Sequence, residues 1–205
     1  CKKMVKKLFL LVLITCLLAA GWHSAHAQTS GETRYFSETG HNIRGDFLKF
    51  FESNPNAVFL YGYPITEEFT NRDGRKVQYF QRARFEFHPN LSEGQRVQLT
   101  PLGRHLYVST GILNANSNLG CRTFAETGFS VCFAFLEFFE QYGGVAQFGY
   151  PISGFEYHEN KIVQYFEKTR FEWQPHRTEG QRVAVSDLGR MYFDEIGEDP
   201  ALILP

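Results

Sequence analysis

Apolar positions follow three patterns along the chain. An apolar run over residues 8–20 stands behind Lys6 and Lys7 and ahead of the small-residue site Ala25-His26-Ala27. A basic start, a short apolar stretch and such a site predict a secretory signal peptide over residues 1–27, cleaved before Gln28. The run is shorter than the about 20 residues a bilayer-spanning helix needs, so no membrane span is expected in the mature chain. The second pattern is helical: Phe47, Phe50 and Phe51, then Phe135, Phe138 and Phe139, recur at helix spacing. They predict amphipathic helices around residues 46–52 and 134–141 with the rings turned to a core. The third is an alternation of period two through Val77-Gln78-Tyr79-Phe80 and Arg84-Phe85-Glu86, matched by Val163-Gln164-Tyr165-Phe166 and Arg170-Phe171-Glu172. Each pair of runs predicts a β-hairpin. Asn71-Arg72-Asp73-Gly74 adds a turn, extending the first hairpin to a three-stranded meander from Glu68 through Phe87, and the second half shortens that turn. Thr100-Pro101 and Ser186-Asp187 supply hydroxyl N-caps for a closing helix in each half. The fold class is α+β.

These patterns occur twice because the sequence does. Tyr35-Phe36-Ser37-Glu38-Thr39-Gly40 aligns with Thr123-Phe124-Ala125-Glu126-Thr127-Gly128, and Gly62-Tyr63-Pro64-Ile65 with Gly149-Tyr150-Pro151-Ile152. Glu93-Gly94-Gln95-Arg96-Val97 aligns with Glu179-Gly180-Gln181-Arg182-Val183, and Leu102-Gly103-Arg104 with Leu188-Gly189-Arg190. Agreement over so many separated strings marks an internal repeat. The expected organisation is a module over residues 33–111, an Asn/Ser/Gly-rich linker over 112–120, a second module over 121–197 and a tail over 198–205.

Composition narrows the function. Cleavage after residue 27 removes four of the 21 basic residues and none of the 22 acidic ones, leaving 17 against 22 and a net charge of −5. An acidic chain is a poor nucleic-acid binder, so none is expected. Cys121 and Cys132 are the two cysteines left after cleavage, and in an oxidising compartment they read as a disulfide. The chain holds 21 phenylalanines, which suit small dense cores or exposed stacking surfaces.

Arg84 with Glu86, repeated as Arg170 with Glu172, would share one strand face and could hydrogen-bond sugar hydroxyls or a peptide carboxylate. A salt bridge that orders the hairpin is the competing reading. Tyr63 and Tyr150, in the Gly-Tyr-Pro turns, offer stacking faces, with core packing the alternative. Gln78 and Gln164 could add polar contacts. His41, His88 and His105 align with Phe129, Gln174 and Met191, so the repeat does not preserve them. No zinc-ligand or nucleophile motif occurs, and neither metal, cofactor nor catalytic residue is expected.

Gly143-Gly144-Val145-Ala146-Gln147-Phe148-Gly149-Tyr150-Pro151-Ile152-Ser153, followed by Gln164-Tyr165-Phe166-Glu167 and Phe171-Glu172-Trp173-Gln174-Pro175, resembles the LGFP repeat of bacterial cell-wall proteins. The first half departs from it, with Asn54-Pro55-Asn56 for the Gly-Gly step and Phe87-His88-Pro89 for the Trp-x-Pro end. The resemblance covers roughly half of each module. It implies an envelope-associated, noncatalytic module, often found beside an enzyme domain, and carries no catalytic residue.

The leading expectation is a secreted module that attaches to cell-envelope polysaccharide or peptidoglycan. A secreted hydrolase of wall polymer is the alternative from a different class, resting on paired carboxylates such as Glu38 with Glu86. A third is a structural or interaction segment of a larger extracellular protein.

Overall fold

The computed structural model describes residues 32–113 and 119–205; the expected signal peptide and the centre of the expected linker lie outside them. A hairpin opens the described chain, joining β1 (Thr33–Phe36) to β2 (His41–Arg44) through a turn in which the amides of Thr39 and Gly40 donate to the Phe36 carbonyl. The chain continues through α1 (Gly45–Glu52) and α2 (Ala57–Tyr61). An antiparallel sheet in the order β3 (Phe69–Thr70), β4 (Lys76–Tyr79), β5 (Arg84–Phe87) and β6 (Val97–Leu99) follows, and α3 (Leu102–Leu106) ends this stretch.

The same order then recurs. β7 (Cys121–Thr123) pairs with β8 (Ser130–Cys132), followed by α4 (Phe133–Gln141) and α5 (Gly144–Phe148). A second four-stranded antiparallel sheet comprises β9 (Glu156–His158), β10 (Lys161–Tyr165), β11 (Arg170–Trp173) and β12 (Val183–Val185). α6 (Leu188–Glu195) and a 3-10 turn (Pro200–Ile203) complete the chain. The fold is mixed α and β, with small antiparallel sheets and six α-helices among the described residues.

The Phe residues at helix spacing form the core. Phe47, Leu48 and Phe51 of α1 are buried, as are Phe135, Phe138 and Phe139 of α4. Their rings meet those of the hairpins, where Phe80 lies 4.2 Å from Phe85 and Phe166 lies 4.4 Å from Phe171, centroid to centroid. Such contacts add roughly 0.5–1.5 kcal/mol each beyond area burial. Most of the unusual phenylalanine content is therefore interior.

The two halves are interlocked. α3 leaves the first half and docks on the β10–β11 turn: the Arg104 amide donates to the Glu167 carbonyl at 3.1 Å, and the Arg104 guanidinium pairs with the Glu167 carboxylate. α6 makes the reciprocal contact, with the Arg190 amide donating to the Gln81 carbonyl of the β4–β5 turn at 3.0 Å. Leu102 and Leu106 of α3 and Leu188 of α6 form a small cluster. Tyr107 packs on Tyr165 and Phe193 on Tyr79, at 5.0 and 5.2 Å. Residues Glu32–Pro205 accordingly form one compact unit.

One local feature differs from the sequence expectation. The closing helices lack hydroxyl caps: their N-caps are Pro101 and Asp187, neither side chain makes a capping bond, and the Thr100 hydroxyl instead bonds Arg84 and Glu86. The end of the chain is packed, since Leu202 and Ile203 lie against Ile65, Val77, Tyr79 and Phe193.

Cys121 and Cys132 are joined by a disulfide across the β7–β8 ladder, where they are directly paired residues. Phe133, immediately after it, has φ 55°. The corresponding first-half position is Gly45, also at φ 55°. Glycine takes this left-handed conformation freely, whereas a residue with a side chain pays on the order of 1 kcal/mol or more.

Candidate functional site

Strand alternation puts Arg84 and Glu86 on one face of β5, as the sequence predicts, and the opposite face gives Phe85 to the core. Both charged residues are buried. Arg84 pairs with Glu86 at 2.6 Å, its Nε donates to Thr100 Oγ1 at 3.0 Å, and its Nη1 donates to the Tyr79 hydroxyl at 3.2 Å. Thr100 donates to Glu86 at 2.8 Å, and Arg75 pairs with the second Glu86 oxygen at 2.5 Å. Burial pushes the Glu86 carboxyl up, but Arg75, Thr100 and Arg84 outweigh it and hold the group below the usual carboxylate range.

The second half repeats this network with looser ion pairing. Arg170 Nε donates to Ser186 Oγ at 2.8 Å and Nη1 to the Tyr165 hydroxyl at 3.2 Å. Glu172 takes Lys161 at 3.1 Å and Gln174 at 2.8 Å, with Arg170 4.0 Å away. Burial again raises the Glu172 carboxyl, and Gln174, Lys161 and Arg170 bring it below its ordinary value. In both halves these residues bond one another and the side chains around them.

Gln78 and Gln164 are fully buried. Gln78 Nε2 donates to the carbonyls of Asn42 and Thr66 at 2.7 and 2.8 Å, and Gln164 Nε2 to those of Ser130 and Ser153 at 2.8 and 2.9 Å. Each amide ties the leading hairpin to the sheet. Tyr63 and Tyr150 are half-buried, packed edge-on against Phe36 and Phe124. A hydrogen bond with Glu38 in one half and Glu126 in the other raises the two phenols above their ordinary value. The eight residues do not converge on one surface: the Arg–Glu networks lie among Tyr79, Tyr165 and Thr100 or Ser186, and the turn tyrosines on the Phe36 and Phe124 side.

A concave surface forms elsewhere, where the two halves meet. It is a groove of about 530 Å³ between the α1–α2 corner, the segment before and within β6, and the α4–α5 corner. Six carboxamide side chains line it: Asn54, Asn56, Gln95, Gln98, Gln141 and Gln147. Tyr61, Tyr142 and Lys168 complete its polar wall. Tyr61 crosses the junction, donating to Gln147 Oε1 at 3.0 Å, and Gln98 Nε2 donates to the Gln95 carbonyl at 2.7 Å. Lys168 donates to the Ala146 carbonyl at 2.8 Å, and burial pushes its ammonium down. The side-chain amides of Asn56 and Gln141 make no hydrogen bond among the described residues.

Sequence reasoning missed this groove for a definable reason. A search for residues kept by both halves passes over most of it, because Gln98 comes from one half and Gln141 and Gln147 from the other; Ala184 stands where Gln98 stands and Ser53 where Gln141 stands, and only Gln95 recurs, as Gln181. Local amide clusters, Asn54-Pro55-Asn56 and Gln95-Arg96-Val97-Gln98, were the available signal.

Among the described residues no group of three or more His, Cys, Asp or Glu side chains could hold a metal ion, and no helix is long and apolar enough to cross a membrane. No protein-family model matches the chain, and no curated protein matches it.

Proposed function

We propose that the chain is a secreted, noncatalytic protein that attaches to cell-envelope polysaccharide or peptidoglycan, built from one module used twice, with the groove between the halves as its contact surface. The observation that carries this reading is the groove's lining of six carboxamides and the half-buried Tyr142. A carboxamide offers a donor and an acceptor side by side, which matches vicinal sugar hydroxyls, and Tyr142 supplies an apolar face with a polar tip. With one cation and no carboxylate in its lining, the groove suits an uncharged polymer better than a nucleic acid.

Three further observations support export and an envelope role: the leader-like pattern of residues 1–27, the disulfide, and the LGFP resemblance through Gly149-Tyr150-Pro151 and Trp173-Gln174-Pro175. The hydrolase alternative draws no support from Glu86 and Glu172, whose carboxylates are engaged in ion pairs and hydrogen bonds. The test is sedimentation of the whole chain with insoluble peptidoglycan. The chain is expected in the pellet, and Gln98→Ala with Gln141→Ala is expected to release it. Wild-type chain left in the supernatant by every envelope fraction overturns the reading.

A further inference from the structure

A second concavity, of about 470 Å³, lies in the second half between α4 and the β11–β12 edge. Gln141 lines both it and the amide groove, so the two adjoin. Its walls include Phe133, Trp173, Glu137, Glu179 and Arg182. Phe133 is 49% exposed, which makes its backbone conformation unexpected. A side chain held at positive φ and left in water gains little from folding, so its presence calls for another reason. The disulfide-stapled β7–β8 hairpin ends one residue before it, and its amide donates to the Gly120 carbonyl at 2.8 Å, which fixes the ring's base. Arg182 stacks on the Trp173 indole, 5.8 Å from the ring centroid.

The corresponding residues of the first half differ in kind. Gly45 takes the place of Phe133, Phe87 that of Trp173, and Lys49 that of Glu137. Lys49 pairs with Glu93 at 3.9 Å, while Lys76 lies over the Phe87 ring at 5.7 Å. In the second half Glu137 and Glu179 face the pocket without a cationic partner among the described residues.

We infer that this pocket is the anchoring subsite of the polymer surface, taking one pyranose ring on the exposed Phe133 face beside the Trp173 indole, with Glu137 and Glu179 accepting from its hydroxyls. The subsite rests on the envelope-binding reading and sharpens it: the halves are not two equivalent sites, and each chain anchors one glycan segment. Aromatic faces suit the C–H faces of a sugar ring, and carboxylates accept strongly from hydroxyls that are all donors. Gln141 passes the chain of sugars on to the amide groove.

Trp22 lies in the expected leader, so in the chain that begins at Gln28 Trp173 is the one tryptophan and reports the pocket alone. The experiment titrates residues 28–205, which hold the whole compact unit, with a soluble β-1,4-linked tetramer of N-acetylglucosamine, in parallel with sedimentation on insoluble peptidoglycan. A saturable Trp173 emission change with one tetramer per chain is the expected result. Phe133→Gly should weaken binding at least tenfold and leave the melting temperature equal or higher, because the first half already accommodates glycine at the matching position. Two tetramers per chain, or Phe133→Gly binding as tightly as its parent, overturns the inference. Sedimentation with no Trp173 response also overturns it and leaves the envelope reading standing. Failure of both readouts overturns both.

Discussion

Gly103 of α3 lies so close to the Phe166 carbonyl that a methyl group at its Cα would overlap the oxygen, and Gly189 of α6 stands in the same relation to the Phe80 carbonyl. Neither glycine has a positive φ, so the requirement is proximity and not backbone freedom. Each closing helix can approach the other half's hairpin turn because it carries no side chain there. Gly103→Ala and Gly189→Ala should each destabilise the chain by about 1–3 kcal/mol, as overpacking does. Because the contact is reciprocal, thermal unfolding followed by circular dichroism should show one transition that moves down as a whole. Two resolved transitions would show that the halves are independent.

The Arg84–Glu86 network makes a second prediction. Removing one member of a buried ion pair strands the other, so Glu86→Gln should cost about 3 kcal/mol in urea denaturation. A change below roughly 0.5 kcal/mol would show the pair to be dispensable to the fold and return it to the list of binding candidates. Arg84→Ala with Arg170→Ala should lower affinity for envelope material only to the degree that it unfolds the chain.

Acid should act through the same carboxylates. Glu86 and Glu172 are pushed up by burial but held lower still by their partners, and Glu156, also buried, is brought down by His158, Tyr107 and Thr110. A group with a folded pKa below its unfolded value stabilises the fold above the unfolded pKa, about 4.3 for glutamate, and that contribution is lost as pH falls through the folded value. The urea midpoint should hold steady from pH 7 to 5 and drop below about pH 4. A midpoint that rises on acidification contradicts the assignment.

Glu156 has a further role that the sequence conceals. It stands in register with Phe69 of the first half, each pairing with the valine of the adjacent strand, yet it is fully buried. It accepts from the Tyr107 hydroxyl at 2.7 Å and the Thr110 amide at 3.0 Å, and Ile112 bridges to its backbone. These bonds hold residues 107–113 against β9. Glu156→Ala should leave the two sheets intact and make this segment the first site of limited proteolysis. An unchanged cleavage pattern would count against the tether.

Much of the fold was legible because its signals are local. Phe47, Phe50 and Phe51 announce a helix face, and Val77 through Glu86 announce paired strands by alternation. The leading hairpin was not read, since Thr33-Arg34-Tyr35 is exposed and only Phe36, His41 and Ile43 turn inward. Three-residue β6 carries too few positions for a period to show. The candidate site was less legible still. Gln78 looks like a surface amide on its strand, and only the arrival of the Asn42 and Thr66 carbonyls makes it interior. The amide groove exists only once the closing helices have exchanged and the α1–α2 and α4–α5 corners meet.

The disulfide can be tested by itself. Cys121→Ser with Cys132→Ser should lower stability by about 2–3 kcal/mol, the loop-closure expectation for residues 11 apart. An equal midpoint for the reduced and oxidised chain would show that the β7–β8 ladder holds without the bond.

The central claim is attachment to envelope glycan, and its most direct measurement is the fraction of full-length chain that pellets with insoluble peptidoglycan across a titration of that polymer. The account predicts saturable pelleting, lost in Gln98→Ala with Gln141→Ala while the melting temperature stays within a few degrees. Chain that remains in the supernatant at every polymer concentration would contradict it.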